Sequence, residues 1–217
     1  MKKQHALTIS QLNLTLSKEA QIPVVDLQRF RELHKEQGTK FEKMVANITY
    51  VKRITDGYEF GIRDYKGGQK IVQILYDGSV SINRGHFTKL YDYKSGHLRI
   101  NHNNNSVVIE KMILTCEAIL ADELPESFKG ICVNCMQGDG NVFTADELGI
   151  VSDYSLDNLE WTVTWRNTIH GKYIKRVYNL VEGPCKYSAN DYELYELLAI
   201  KDDEKIKKYL EKNYLED

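Results

Sequence analysis

Two Asp-Gly dipeptides, at residues 56–57 and 77–78, each lie between runs of alternating apolar and polar residues. Asp and Gly both tolerate the left-handed backbone of a tight hairpin turn. Such a dipeptide therefore predicts that its two flanking runs pair as antiparallel strands. The runs around these turns cover residues 45–63 and 70–83. This part of the protein is therefore predicted to be rich in β-structure.

A third pair of strand-like runs, at residues 97–101 and 107–111, flanks the polar turn Asn103-Asn104-Asn105. The predicted β-meander thus extends over about residues 45–112. Helical periodicity appears outside it and immediately after it. The predicted helices cover residues 23–37, 113–124, 190–200 and 203–214. Pro23 suits a first helical turn and Gly38 suits a helix end, and the fold class is therefore α+β with helices near both termini.

The charge of the 217-residue chain is nearly balanced, at −2, which argues against a generic, strongly basic nucleic-acid binder. The charge is nevertheless uneven along the sequence. Residues 1–75 carry 13 Lys and Arg against 8 Asp and Glu, whereas residues 188–217 carry 5 against 9. A DNA-facing N-terminal part and an ordinary solvated surface both remain consistent with this asymmetry.

No apolar stretch reaches the roughly 20 residues of a membrane-spanning helix, and no apolar segment follows the basic N-terminus as in a signal peptide. We therefore expect no membrane partner and a cytoplasmic protein, in a host cell if it is phage-encoded. Cysteines at positions 116, 132, 135 and 185 are then expected to be thiols or metal ligands.

The segment Asn158-Leu159-Glu160-Trp161, followed by Asn167 and His170, resembles the block that closes the ββα-metal motif of HNH homing endonucleases of the phage and intron-encoded kind. Residues 77–82 resemble the strand turn that precedes this motif. The resemblance covers about residues 70–171. It implies two short strands within 130–163 and a helix that begins near Thr164.

This resemblance suggests that the chain is divided into three parts. Residues 1–69 would form an N-terminal helix and β-hairpin region, residues 70–187 an HNH-like domain, and residues 188–217 a pair of acidic C-terminal helices.

The resemblance places the family's metal-binding and catalytic Asp-His pair at Asn134-Cys135. In the family, the His activates water and the Asp holds a divalent ion such as Mg²⁺. An amide oxygen is a weaker Mg²⁺ ligand than a carboxylate, and a thiol is a soft ligand. Asn167 and His170 match the helix positions, where they imply a weak divalent site. We therefore expect a degenerate member whose nuclease or nickase activity is lost or strongly reduced.

Several of these residues also have ordinary structural interpretations. Trp161 is expected in the core, Asn158 could simply end a turn, and His170 could be a helix-surface histidine. His102 and Asp139 are possible substitutes for the missing catalytic group, although turn chemistry explains both. Cys132 and Cys135 have the C-x-x-C spacing of half a Zn²⁺ site, with two half-buried thiols on a strand as the alternative.

Two classes of function follow from these observations. The first is a DNA-binding protein derived from an HNH nuclease, with expected DNA contacts at Arg29, Arg31, Lys35, Arg166 and Lys172. The second is a phage-encoded inhibitor of a host enzyme or defence system. Such an inhibitor would use the HNH-like domain as a scaffold and the Tyr-rich acidic tail as a protein contact surface.

Overall fold

The computed structural model describes residues 8–64, 67–92, 94–102 and 105–215, and within them the chain is α+β as predicted. The helices are α1 (Ile9–Asn13), α2 (Leu27–His34), α3 (Lys40–Ala46), α4 (Ile109–Leu120), α5 (Val142–Leu148), α6 (Thr164–Val181), α7 (Tyr192–Ile200) and α8 (Asp203–Leu210). The strands are β1 (Val24–Val25), β2 (Ile48–Ile54), β3 (Gly57–Arg63), β4 (Gln69–Leu75), β5 (Val80–Ile82), β6 (Tyr91–Asp92), β7 (His97–His102), β8 (Asn105–Val108), β9 (Leu124–Pro125), β10 (Ile131–Cys135) and β11 (Leu159–Val163).

The predicted meander is confirmed as an antiparallel sheet in the order β2-β3-β4-β5. Its first hairpin closes between Ile54 and Gly57, so the turn residues are Thr55 and Asp56, and Asp56 has a φ of 57°. Gly57 is already the first residue of β3. A Cβ there would lie 1.9 Å from the carbonyl oxygen of Ile74 on the neighbouring strand, and glycine is therefore required by close backbone approach.

A separate antiparallel sheet has the strand order β6-β7-β8, in which β7 and β8 form a hairpin. Asn103 and Asn104 of the predicted turn lie outside the described residues. The predicted strand at 107–111 is wrong after Val108, because α4 begins at Ile109. Ile109, Met112 and Cys116 are fully buried at helical spacing, and this apolar stripe favours a helix over a longer strand.

Two other predicted boundaries are corrected. The helix predicted at 23–37 is α2, which begins at Leu27 and not at Pro23, because Asp26 caps it by accepting a hydrogen bond from the backbone N–H of Arg29 at 2.7 Å. Residues 24–25 pair instead with β9. Val45 lies in α3 and not in a strand, because Thr39 and Glu42 form a capping box at the start of that helix.

Two hydrophobic clusters organise the described residues. The first surrounds α4 and includes residues from Ile9 to Trp161, and the second joins α6 to α7 and α8. The expected boundary at 69/70 falls at the first residue of β4, inside one sheet, and the first part is therefore not a separate structural unit. The predicted C-terminal helices are confirmed and pack on α6.

The carboxylate of Glu42 ties α3 to the segment before β10. It accepts hydrogen bonds from the hydroxyl of Ser127 at 2.9 Å and from the backbone N–H of Phe128 at 3.0 Å, besides its bond within the capping box. Burial raises the pKa of Glu42, but these donors outweigh it and lower the pKa to about 2.

We expect Glu42→Gln to lower the free energy of unfolding by about 2 kcal/mol at pH 7. Because the pKa of Glu42 is lower in the folded protein than in the unfolded chain, its contribution is complete above about pH 4.5 and is lost as the pH falls towards 2. Urea denaturation of both proteins between pH 7 and pH 3 should show the difference shrinking. A difference that is constant with pH would contradict this assignment.

Candidate functional site

The second half of the chain contains the strand-strand-helix arrangement expected from the sequence. Strands β10 and β11 are antiparallel, with Ile131 opposite Val163 and Cys135 opposite Leu159. Helix α6 begins at Thr164, directly after β11, as predicted. The long connection between the strands contains α5, whose first turn is capped by the side chain of Asn141.

A cavity of about 160 Å³ lies between β10, the loop before α5, and α6. It brings together all four positions of the proposed motif, namely Asn134, Cys135, Asn167 and His170. The four residues thus lie together, as the resemblance implies, although they are up to 36 positions apart along the chain. The interactions of each side chain decide what this site can do.

Asn134 is engaged inside the protein. Its side chain is buried, and its Nδ2 donates a hydrogen bond to Oε1 of Glu160 at 3.0 Å, across the β10–β11 pair. Glu160 is fully buried and also accepts bonds from the segment at residues 188–190. Burial raises the pKa of Glu160 to about 7, although its hydrogen-bond donors act in the opposite direction. Asn134 therefore helps to satisfy a buried carboxylate.

Cys135 is a buried thiol whose pKa is well above its usual value, because burial and the nearby carboxylates of Glu110 and Asp139 oppose ionisation. Its Sγ lies against Gly140, where an added Cβ would come within 2.5 Å of the sulfur. A neutral, closely packed thiol does not serve as a general base.

The geometry of Cys132 and Cys135 favours the alternative of two separate thiols over half a zinc site. Cys132 and Cys135 are three residues apart on one strand, and side chains at such spacing point to opposite faces. Cys132 interacts with Thr164 and Lys111, and burial raises its pKa to about 11. Over the described ranges, no group of three His, Cys, Asp or Glu side chains could hold a metal ion.

His170 is buried and bridges two parts of the backbone. Its Nε2 lies 3.2 Å from the carbonyl oxygens of both Met136 and Tyr187, and its ring packs on that of Tyr187 with centroids 4.3 Å apart. Burial lowers its pKa to about 4, so the imidazole is neutral at pH 7. His170 is thus neither a surface histidine nor an exposed metal ligand. Asn167, one turn earlier, is partly exposed on the cavity wall.

The segment at 158–161, on which the resemblance rests, contributes side chains that hold the fold together. Asn158 is fully buried, and its Oδ1 accepts a bond from the N–H of Gln137 while its Nδ2 donates to Oδ1 of Asp139 at 2.8 Å. Asp139 also accepts a bond from the N–H of Asp153, which explains this buried carboxylate without a metal. Trp161 is 1% exposed in the first core, as expected.

A histidine–carboxylate pair that the sequence did not reveal lies beside the cavity. Nδ1 of His97, on β7, is 3.0 Å from Oε1 of Glu110, on the first turn of α4. The hydrogen bond with Glu110 raises the pKa of His97 in spite of burial. Because the two residues belong to different elements, no local motif could have indicated their contact. His102, the alternative suggested by the sequence, lies at the far end of the same strand.

The five cations expected to contact DNA fall into two groups. Arg31 donates to the backbone carbonyls of Ala46 and Ile48, and buried Arg166 donates to Thr15 and Asn190. These two arginines stabilise the fold, and their expected role as phosphate contacts is corrected. The three that remain at the surface are Arg29, Lys35 and Lys172. Arg29 forms an exposed pair with Glu32 at 3.0 Å.

Comparison with family models, curated proteins and solved structures gives no match for this chain. No helix of the described residues is both long and apolar enough to cross a membrane. The cavity itself offers amide groups, a neutral imidazole and a buried thiol, with one histidine–carboxylate pair at its edge. Such groups hold the strands and helix in place but do not supply a charged metal cage.

Proposed function

We propose that the chain is a DNA-binding protein built on an HNH-like ββα scaffold, with little or no nuclease activity. The observation that carries this proposal is the charge of α6, the helix that closes the scaffold. Its 18 residues include two Arg and two Lys but no Asp or Glu. Arg166 is buried and Arg176 pairs with Asp203, so the two lysines carry the positive charge available to a ligand. Lys172 is exposed on it, and Lys175 forms an exposed ion pair with Glu147.

The exposed side of α6 is suited to bind the negatively charged phosphate backbone of DNA. Trp165, Thr168 and Lys172 are all exposed and share one stripe of the helix, since residues three and seven positions apart lie on the same side. A solvent-exposed ion pair such as that of Lys175 contributes little to stability, so its lysine can exchange a carboxylate partner for a phosphate at small cost. The exposed Arg29 on α2 and Lys35, directly after that helix, provide further positive charge.

We expect duplex DNA to bind with a steep inverse dependence on salt, because each neutralised phosphate releases counterions. Lys172→Glu should weaken binding several-fold and reduce the slope of log affinity against log salt by about 1. Mobility shifts between about 50 and 200 mM salt measure both quantities. Lys208→Glu, at an exposed lysine on α8 in the acidic C-terminal segment, is the matched control and should change little.

Absence of any shift at low salt would reject DNA binding and leave the protein-inhibitor function. One observation favours that second candidate. The acidic C-terminal helices expose large side chains, with Tyr192 57% and Ile200 61% accessible. Exposed tyrosines of this kind are enriched at protein interfaces.

We also expect no Mg²⁺-dependent nicking of supercoiled plasmid above the background of the buffer. Loss of a general base costs a factor of about 10² to 10⁴, and His170 is already committed to two carbonyl groups. Asn167→Ala should leave this background unchanged. Nicking that Asn167→Ala abolishes would instead show an active metal site, and His97→Ala would then test whether His97 serves as its base.

A further inference from the structure

We infer that Trp165 stacks on an unpaired DNA base, so that single-stranded or locally opened DNA is the preferred ligand of α6. This inference rests on the proposed DNA-binding function and specifies its ligand. Trp165 and Lys172 together form what we call the α6 stripe, with Thr168 between them.

Trp165 is unusual in its exposure. The indole is 52% accessible at the second residue of α6, whereas the other tryptophan of the chain, Trp161, is 1% accessible in the core. A large aromatic ring at the surface loses the burial that normally stabilises it. An open π-face of this kind is the common element of sites that bind single strands, because every base can stack on it.

The indole ring of Trp165 is held in place by the next residue, Arg166. The guanidinium of Arg166 lies over it, with Cζ 5.3 Å from the ring centre. Arg166 is itself fixed, since it donates to the hydroxyl of Thr15 at 2.7 Å and to Oδ1 of Asn190 at 3.1 Å. A cation over an aromatic face is attractive. The contact also orders the indole before any ligand arrives, which reduces the entropy lost on binding.

Lys172 extends the site along the helix. Seven residues of α-helix rise about 10 Å, which is a suitable separation between a stacked base and the phosphate of a nearby nucleotide. Helix α6 brings no carboxylate of its own to oppose that phosphate. A duplex can offer phosphates to Lys172, but its bases are stacked on one another and present no free face to Trp165.

The test compares a poly-dT strand with a duplex of equal length, using fluorescence anisotropy of the labelled DNA and the full chain. We expect Trp165→Ala to weaken binding of the single strand about tenfold and binding of the duplex little. Trp165→Phe should restore part of the loss. Phe87→Ala removes another exposed aromatic, 46% accessible and remote in sequence, and should have no effect.

Intrinsic fluorescence gives a second readout. Poly-dT should quench the tryptophan emission of the wild type, and this quenching should vanish in Trp165→Phe, where only the buried Trp161 remains. Equal losses for both DNAs, or no loss in Trp165→Ala, would overturn the stacking inference. In that case an effect of Lys172→Glu on the salt slope would still support DNA binding. If neither DNA binds, the proposed function fails first and the inference fails with it.

Discussion

Glu160→Ala is expected to lower the free energy of unfolding by about 4 kcal/mol, because it removes the shared acceptor of a buried network. The carboxylate accepts bonds from the hydroxyl of Ser188 at 2.6 Å and the N–H of Ala189 at 2.5 Å. It also accepts bonds from Nδ2 of Asn134 at 3.0 Å and of Asn190 at 3.1 Å. Alanine would leave these buried donors unsatisfied and would create a cavity.

Urea denaturation measures the loss, and thermal unfolding should show a fall in Tm of about 10 °C. Glu160→Gln is the matched variant, since it keeps the shape but turns one acceptor into a donor that faces other donors. It should be destabilised by about 2 kcal/mol, less than alanine. Hydrogen exchange at the amide of Ala189 should quicken in both variants. A Glu160→Ala protein as stable as the wild type would contradict the role assigned to this network.

The elements with strong local signals were predictable from the sequence. The Asp-Gly dipeptides mark the turns because Asp and Gly tolerate a positive φ, which Asp56 and Gly78 adopt, and the sheet β2-β3-β4-β5 was therefore predictable. Gly57 itself belongs to β3, and the limits of the predicted meander at Val45 and after Val108 were wrong. The strand β11 and the start of α6 were also predicted, from the resemblance carried by the Asn-Leu-Glu-Trp segment at 158–161. By contrast, Ile109 follows a strand-like run without a break. Only its packing into the first core shows that a helix begins there.

The chemistry of the site was less predictable, because each side chain takes its role from distant partners. From the sequence, Arg166 is predicted to be an exposed cation on a helix. In the structure it donates to Thr15, which is 151 residues away in the sequence. Arg31 likewise finds carbonyl groups at the end of α3 and the start of β2. His97 and Glu110 meet only because β7 packs beside the start of α4. Contacts of this kind cannot be predicted from the spacing of residues along the sequence.

The double variant Asn134→Asp/Cys135→His, which restores the Asp-His pair of the resembled family, is expected to lose stability by about 4 kcal/mol and to gain no nuclease activity. An aspartate at 134 would place a second carboxylate where an amide now donates to Glu160 at 3.0 Å. Two buried carboxylates at that distance cannot both be ionised without a large cost. One of them must take up a proton or the strands must separate.

The histidine meets a steric limit. Cys135 is 8% exposed, and its sulfur already lies so close to Gly140 that even a methyl group there would approach it to 2.5 Å. An imidazole is much larger than a thiol, so the loop at 138–141 would have to move away from β10. The displaced loop also carries Asp139, whose hydrogen bond with Asn158 would be disturbed.

Denaturation curves and plasmid nicking in Mg²⁺ test both parts of this expectation. Asn167→Asp is the control, because it adds a carboxylate to the same cavity from a partly exposed position and should cost little stability. If the double variant is stable and cleaves DNA, then the cavity can accommodate a working metal site. If it is unstable while Asn167→Asp folds normally, Asn134 and Cys135 serve packing, and an Asp-His pair at these positions would require Glu160 and Gly140 to change as well.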